Sequence, residues 1–302
     1  MLSPRENHPF HLRRSALCVP AANPRALEKA LTLDCDAIIY DLEDSVFPEQ
    51  KADARKALAA HLAACPPSPV ETIIRINGFD TDHGQADLEA ILDCNADAVL
   101  IPKVDSPQDI QNAADWLSEN DAPENLRLWA MIETPRGVLN AAAIAETGRT
   151  RGGRLDCFVA GLNDLRSDTG VVDLPGRGYC IPWLMQILLA ARSCGLDAID
   201  AVYNHIRDTE GFESDCRQGR DMGFDGKMLI HPNQIRPANG AFGVASDALA
   251  DADAIIAAFA EPGNGQKGVI NLSGRMVERL HLAQALRLRA RADAIAQRKA
   301  KL

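Results

Sequence analysis

The sequence predicts an α/β protein built as a TIM-type (β/α)8 barrel with a C-terminal helical extension. Three observations carry that expectation. Eight short apolar runs recur along the chain, seven amphipathic or Ala-rich stretches separate them, and polar residues close nearly every run at the same end. Runs of this length suit strands buried on both faces. Eight of them with helices between are what a barrel requires before its last helix.

The runs lie at 16–19, 37–40, 72–76, 98–101, 128–132, 157–160, 198–202 and 227–230. The helical stretches lie at 24–33, 51–64, 87–94, 107–120, 136–147, 181–194 and 210–222. Asn23-Pro24, Ser106-Pro107 and Thr134-Pro135 each set a capping side chain before a proline at the first helical position. Gly195 and Gly223 stand just past helices, where a left-handed residue ends the coil. An open doubly wound sheet is the competing architecture. The turn after the first run reads Val19-Pro20-Ala21-Ala22-Asn23-Pro24, which has no GxGxxG and offers no pyrophosphate cradle. The barrel is therefore expected over residues 13–240. Beyond it, 246–260 reads as an Ala-rich helix, 261–265 as a turn, 268–272 as a short strand and 277–298 as a long Arg-rich helix. Residues 241–302 are expected to cap the barrel or reach a neighbouring subunit.

Composition narrows the function. The chain has 302 residues, 46% apolar and 25% charged, which suits a full core. A net charge of −10 argues against nucleic acid or an anionic membrane as partner. No apolar run approaches the roughly 20 residues of a membrane helix. The basic N-terminus has no apolar core behind it, so a secretion signal is not expected. The eight cysteines are scattered without a CxxC pair, several inside apolar runs. They are expected to be reduced and structural, in a cytoplasmic protein.

In a parallel barrel the reactive residues sit at the C-terminal ends of the strands. The second run is followed by Asp41, Glu43 and Asp44, the third carries Arg75 and Asn77, and the fourth ends at Lys103. The fifth ends at Glu133, the sixth at Asn163 and Asp164, and the eighth at His231. Glu133 and Asp164 close neighbouring strands, so their carboxylates should lie side by side. Two carboxylates with waters and substrate oxygens suit Mg2+, a hard cation that rarely takes a full protein cage. Either residue alone would read as a helix cap or an ion pair. Arg75 interrupts an apolar strand, and a buried guanidinium needs an anion. That anion is either Asp41 or Glu43 on the next strand, or a substrate oxygen. The cluster Asp41-Leu42-Glu43-Asp44 reads as a shell orienting Arg75 or metal-bound water, or as a cap for the helix at 51–64. Lys103 reads equally as a base or Schiff-base lysine and as half of a barrel-floor ion pair. His231 reads equally as structural and catalytic. Arg13-Arg14 would meet the phosphates of an anionic cofactor or remain a solvated basic pair. No HxxxH or HExxH spacing supports zinc, and no GxSxG supports a serine hydrolase.

Seven segments recur in a recognisable order: residues 13–20, 39–46, 73–77, 101–104, 131–135, 161–165 and 227–232. There the sequence resembles the citrate lyase beta-subunit-like branch of the HpcH/HpaI aldolase family. The resemblance implies a TIM barrel, a bound Mg2+, and cleavage or formation of a carbon–carbon bond beside a thioester carbonyl. Citryl, malyl and citramalyl thioesters are the typical substrates. By position, Glu133 and Asp164 would hold the metal and Glu133 would also face the substrate. Arg75 would bind the substrate and stabilise the enolate. Arg14 is expected to contact the coenzyme A part. In malyl-type relatives an Asp after a Met-Val pair serves as general acid or base, often in a neighbour's site. Here Met276-Val277 is followed by Glu278, whose extra methylene moves the carboxylate by about a bond length. The family's Pro-Gly turn is Pro20-Ala21 here. Catalytic expectations thus fall on Arg75, Glu278, Glu43 and Asp44, in a homo-oligomer that is a trimer or hexamer. The competing expectations are a citrate lyase beta subunit working on an acyl-carrier-protein thioester with partner subunits, a malyl-CoA-type thioesterase, a pyruvate aldolase and a metal-binding scaffold.

Overall fold

The structure, a computed structural model, describes residues 11–301 apart from 67, 80 and 151. Among these residues eight parallel strands close into a barrel. They are β1 Ser15–Pro20, β2 Ala37–Asp41, β3 Glu71–Arg75, β4 Ala98–Ile101, β5 Arg127–Ile132, β6 Leu155–Ala160, β7 Asp197–Asp200 and β8 Gly226–Leu229. Each pairs with the next, and β1 pairs with β8 to close the ring. The strands appear as continuous apolar runs because both of their faces are buried. Ala16, Ile39, Ile73, Leu100, Trp129, Val159 and Met228 fill the barrel interior. The alternate residues, such as Leu17, Ile38, Tyr40, Ile74 and Phe158, face the helices.

Around the strands run α1 Pro24–Ala30, α2 Lys51–Ala64, α3 Gly84–Ile91, α4 Pro107–Glu119, α5 Pro135–Glu146, α6 Leu162–Thr169, α7 Ile181–Cys194, α8 Thr209–Met222 and α9 Ile235–Ala241. The expected caps form. The Asn23 side chain accepts from Ala26, the Thr134 hydroxyl accepts from Gly137, and Ser106 with Asp109 makes a capping box. Gly195 and Gly223 end α7 and α8 with φ of 84° and 107°. Helices α6 and α9 were not expected. The first buries only Leu162 and Leu165, and the second holds Pro237 and Gly240, so neither shows an apolar stripe.

The barrel floor is an ion cluster. Arg13 donates to Glu71, Asp156 and Asp197 at 2.6–2.9 Å and lies over the Trp129 ring at 4.7 Å. These carboxylates stand at the N-terminal ends of β3, β6 and β7, so one guanidinium ties three strands together.

Residues 13–242 form one compact unit, and 243–301 with 11–12 form a second. The second unit contains α10 Ser246–Ala260, a hairpin of β9 Val269–Leu272 and β10 Arg275–Glu278, and α11 Arg279–Lys301. Its core is built on Ala252, Ile255, Phe259, Ile270, Val277 and Ala285. Helix α11 starts later than expected because 275–278 pair antiparallel with β9. Ser273 and Gly274, with φ of 52° and 85°, make the tight turn. Glu278 therefore lies in a strand. All eight cysteines are free thiols and six are buried. Among the described residues no helix is long and apolar enough to cross a membrane.

Candidate active site

A cavity of about 330 Å3 opens at the C-terminal ends of the strands. Asp41, Arg75, Glu133 and Asp164 line it, with Cys18, Met131, Met228 and Val202 as softer walls. A second cavity of about 790 Å3 lies between the loops before α7 and α8, and shares Val202 and Asn204 with the first. The chemistry-bearing groups converge on the smaller one.

Glu133 follows β5 and is 1% exposed. Its Oε1 accepts the backbone N–H of Lys103 at 2.8 Å, and Lys103 offers that N–H from a left-handed φ of 50°. Gly161, at the end of β6, passes so close that a Cβ there would fall 2.3 Å from the Glu133 Cβ. Only glycine fits. Gly161 also caps α6, whose first turn carries Asp164 half-buried into the same cavity. Asp164 thus sits on a helix rather than at a strand end, where the helix N-terminus favours a carboxylate.

Burial pushes the Glu133 carboxyl up to about 8, and the nearby Glu43 and Asp164 carboxylates add to it, against the Lys103 N–H and Arg75. Among the described residues Glu133 makes no ion pair. A buried carboxylate, a second carboxylate beside it and an open cavity make a negative pocket of hard oxygens. That donor set fits Mg2+, with water and ligand oxygens completing the shell. No group of three or more His, Cys, Asp or Glu among the described residues offers a fuller cage.

Arg75 ends β3, and the β2–β3 register sets it directly against Asp41. Its Nε and Nη2 fork the Asp41 carboxylate at 2.7 and 2.6 Å, and Nη1 lies 3.0 Å from Glu43 Oε2. Burial opposes ionisation of Asp41, but Arg75 and N–H groups of the following turn overrule it and hold the carboxyl below the usual range. Glu43 is pushed up, by burial first, despite Arg75 and Lys103. Lys103 Nζ lies 3.2 Å from Glu43 Oε1. Burial would lower the lysine's pKa, but Glu43 raises it. Lys103 therefore belongs to the rim, not to the barrel floor. Asp44 is half-exposed, 3.8 Å from Arg75 Nη1. Asp41, Glu43 and Asp44 serve Arg75 rather than capping the helix that follows.

Other candidates lie elsewhere. Arg14 forks Asp36 at 2.8 and 2.9 Å and is buried just before β1. It stands at the N-terminal end of the barrel, opposite the cavity, and its charge is already answered, so it does not reach a ligand at the mouth. His231 accepts the Asn233 N–H and caps a single turn after β8. Glu278 is exposed on β10 of the second unit, with its backbone N–H donating to His281 Nδ1 at 2.9 Å. Gly161 and Lys51 lie outside the residues that the sequence marks for function. Gly161's signal was the Gly-Leu-Asn-Asp segment itself. Lys51, whose acceptors lie on other segments, gave none.

The fold and this carboxylate–arginine site define a class: the chain belongs to the HpcH/HpaI aldolase/citrate lyase family, whose model matches residues 14–232. Among curated relatives, the (3S)-malyl-CoA thioesterase of Cereibacter sphaeroides is 44% identical over 289 residues, covering 96% of each chain. The human mitochondrial citramalyl-CoA lyase is 31% identical over 293 residues, 94% of this chain and 86% of the relative. The solved structure of protein CitE from Mycobacterium tuberculosis, in complex with magnesium, acetoacetate and coenzyme A, aligns with a TM-score of 0.73 at 31% identity. It covers 92% of this chain and 97% of that one.

Proposed function

We propose that this chain is a Mg2+-dependent carbon–carbon lyase acting on a 3-hydroxyacyl coenzyme A thioester of the malyl or citramalyl type. The observation that carries the proposal is the placement of Glu133 and Asp164 on one cavity with Arg75, which Asp41 and Glu43 hold rigid. Glu133 and Asp164 would hold the cation, which supplies a Lewis acid for the oxygens of the hydroxy or keto acid. Arg75 sets a fixed positive charge where the enolate oxygen develops, and its fork to Asp41 means no reorganisation is needed as that charge appears. In cleavage the bond between the α-carbon and the hydroxyl-bearing carbon breaks. Its electron pair enters the thioester enolate, the hydroxyl proton leaves as the keto or aldehyde carbonyl forms, and the α-carbon then takes up a proton. The carboxylate of Glu278 is proposed for proton transfer, on the Met-Val-acid pattern.

The 44% identity to a malyl-CoA thioesterase favours a second reading. There, water attacks the thioester carbonyl, the carbon–sulfur bond breaks, and malate and free coenzyme A leave. One assay separates the two. Malyl-, citramalyl- and citryl-CoA are incubated with Mg2+, and keto or aldehyde acid is followed beside free thiol. Keto or aldehyde acid that vanishes in Glu133→Gln supports the lyase. Free thiol alone supports hydrolysis and rejects cleavage. Inertness on all three thioesters rejects both.

A further inference from the structure

Lys51 is placed where a lysine is costly. It is 7% exposed, among the described residues it has no carboxylate partner, and it is the first residue of α2. A helix N-terminus repels a cation, and a buried ammonium is penalised unless fully hydrogen-bonded. Its three donors are all engaged. Nζ donates to the carbonyls of Leu42 at 3.0 Å and Glu43 at 2.9 Å, and to Asn77 Oδ1 at 2.6 Å.

Two of those acceptors are the backbone of the acidic turn that faces Arg75. Asn77 reinforces the grip, since its Nδ2 donates to the same Leu42 carbonyl at 2.9 Å and to Asp87 at 2.6 Å. Asp87 is held in turn by Arg55 at 2.8 Å. Leu42 closes the loop by donating its N–H to the Arg75 carbonyl at 2.9 Å. A chain of contacts thus runs from α2 and α3, through one ammonium, to the peptide that carries the Glu43 carboxylate.

We infer that Lys51 is a positioning residue for the reaction centre: it clamps the Leu42 and Glu43 carbonyls so that the Glu43 carboxylate stays bridged between Arg75 and Lys103. The inference rests on the reading of Arg75 as the residue that meets the developing oxyanion. Lys51 itself acts only through the turn. A displacement of Arg75 by about 1 Å costs on the order of 100-fold in rate, so the clamp matters to turnover more than to substrate affinity.

The test is a double-mutant cycle on kcat and KM with Lys51→Met, Glu43→Gln and the pair, each checked for a folded barrel by thermal unfolding. Lys51→Met is expected to lower kcat by roughly 30- to 100-fold with KM within about threefold. The pair should be little worse than Glu43→Gln alone, because both act on one arrangement. Multiplying losses, or a kcat unchanged per folded molecule, would overturn the inference. Should the wild-type protein turn over no thioester, the reading of the site fails but the clamp is still measurable. Amide hydrogen exchange at Glu43 and Ser45 should speed up at least about tenfold in Lys51→Met, with Ile39 in β2 unchanged. Unaltered protection of the turn would overturn it. Asn77→Ser, which removes one of the clamp's acceptors without removing the ammonium, should show the same signature at smaller amplitude, and its absence there counts against the clamp too.

Discussion

Stripping divalent cations from the protein should make its stability fall steeply with pH, and Glu133 sets the size of the effect. In the metal-free fold the Glu133 carboxyl is pushed up to about 8, by burial and by Glu43 and Asp164, from an ordinary 4.5. A group whose folded pKa is raised binds its proton more tightly in the native state. Its contribution is fully present below the unfolded pKa and is lost as pH rises through the folded one. At about 1.4 kcal/mol per unit, ionising Glu133 costs the barrel about 5 kcal/mol between pH 4.5 and 8. Glu133→Gln keeps the shape and removes the charge. In EDTA at pH 9 the variant should therefore be more stable than the wild type by about 3–5 kcal/mol. For a chain of 302 residues that is a rise in Tm of roughly 5–8 °C. Near pH 4.5 the two should nearly coincide. Mg2+ should reverse the order at pH 9 by stabilising only the wild type, through its preference for the native carboxylate pair. Thermal unfolding from pH 4.5 to 9, with EDTA and with Mg2+, measures all of this. A variant less stable than wild type at pH 9 in EDTA, or equal stabilisation of both by Mg2+, refutes the account of Glu133 as a carboxylate awaiting a cation.

Three further outcomes are expected. Arg75→Lys cannot fork Asp41, so kcat/KM for the thioester should drop by about 100-fold or more in steady-state assays while the barrel stays folded. Arg14→Met removes the buried two-bond fork to Asp36 and should lose roughly 3 kcal/mol in urea unfolding. KM for the coenzyme A thioester should not change, and a rise in KM would return Arg14 to the substrate. Gly161→Ala drives a methyl into Glu133, 2.3 Å from its Cβ. It should raise the Mg2+ concentration needed for half-maximal activity by about tenfold, whereas a normal Mg2+ titration would mean the loop yields without moving the carboxylate.

How much could be read without the fold follows from where each signal resides. The strands were legible because burial on both faces forces unbroken apolar runs, whereas Arg75's partner stayed open among Asp41, Glu43 and a substrate oxygen until the β2–β3 register set Asp41 against it. Helix α6 was not legible, since two buried leucines make no periodicity, and Asp164 was consequently assigned to a strand end. Its convergence with Glu133 did not depend on that, because β6 and the first turn of α6 reach the same rim. Arg14 was misread for a different reason. A basic pair before a strand looks the same in sequence whether a substrate or Asp36 answers it. Lys51 left no trace at all, because its partners are backbone carbonyls and an amide, which no pattern of residue types reveals.

The charges around the cavity explain why metal and substrate should be linked. Asp41 is taken up by Arg75, and Glu43 is shared between Arg75 and Lys103. Among the described residues Glu133 and Asp164 make no ion pair, and Asp44 adds a more distant negative charge at the rim. An anionic acyl group approaching this mouth meets repulsion in a partly desolvated space, where Coulomb terms are several times stronger than in water. A dication between Glu133 and Asp164 cancels that surplus and turns the same wall attractive. It also restores the Glu133 carboxylate to its ionised form, which burial in the metal-free fold resists at neutral pH. On the proposed reaction, what would then remain unbalanced is the enolate charge, and the donor proposed to meet it is Arg75, whose orientation Asp41 and Glu43 already fix. A positive charge preorganised toward an oxyanion, and not toward the bond that breaks, would suit either proposed reaction, cleavage or hydrolysis. On the proposed reading, the choice between them would fall to the group that takes the hydroxyl proton or activates water, the role proposed for Glu278, which lies on β10 outside the barrel unit.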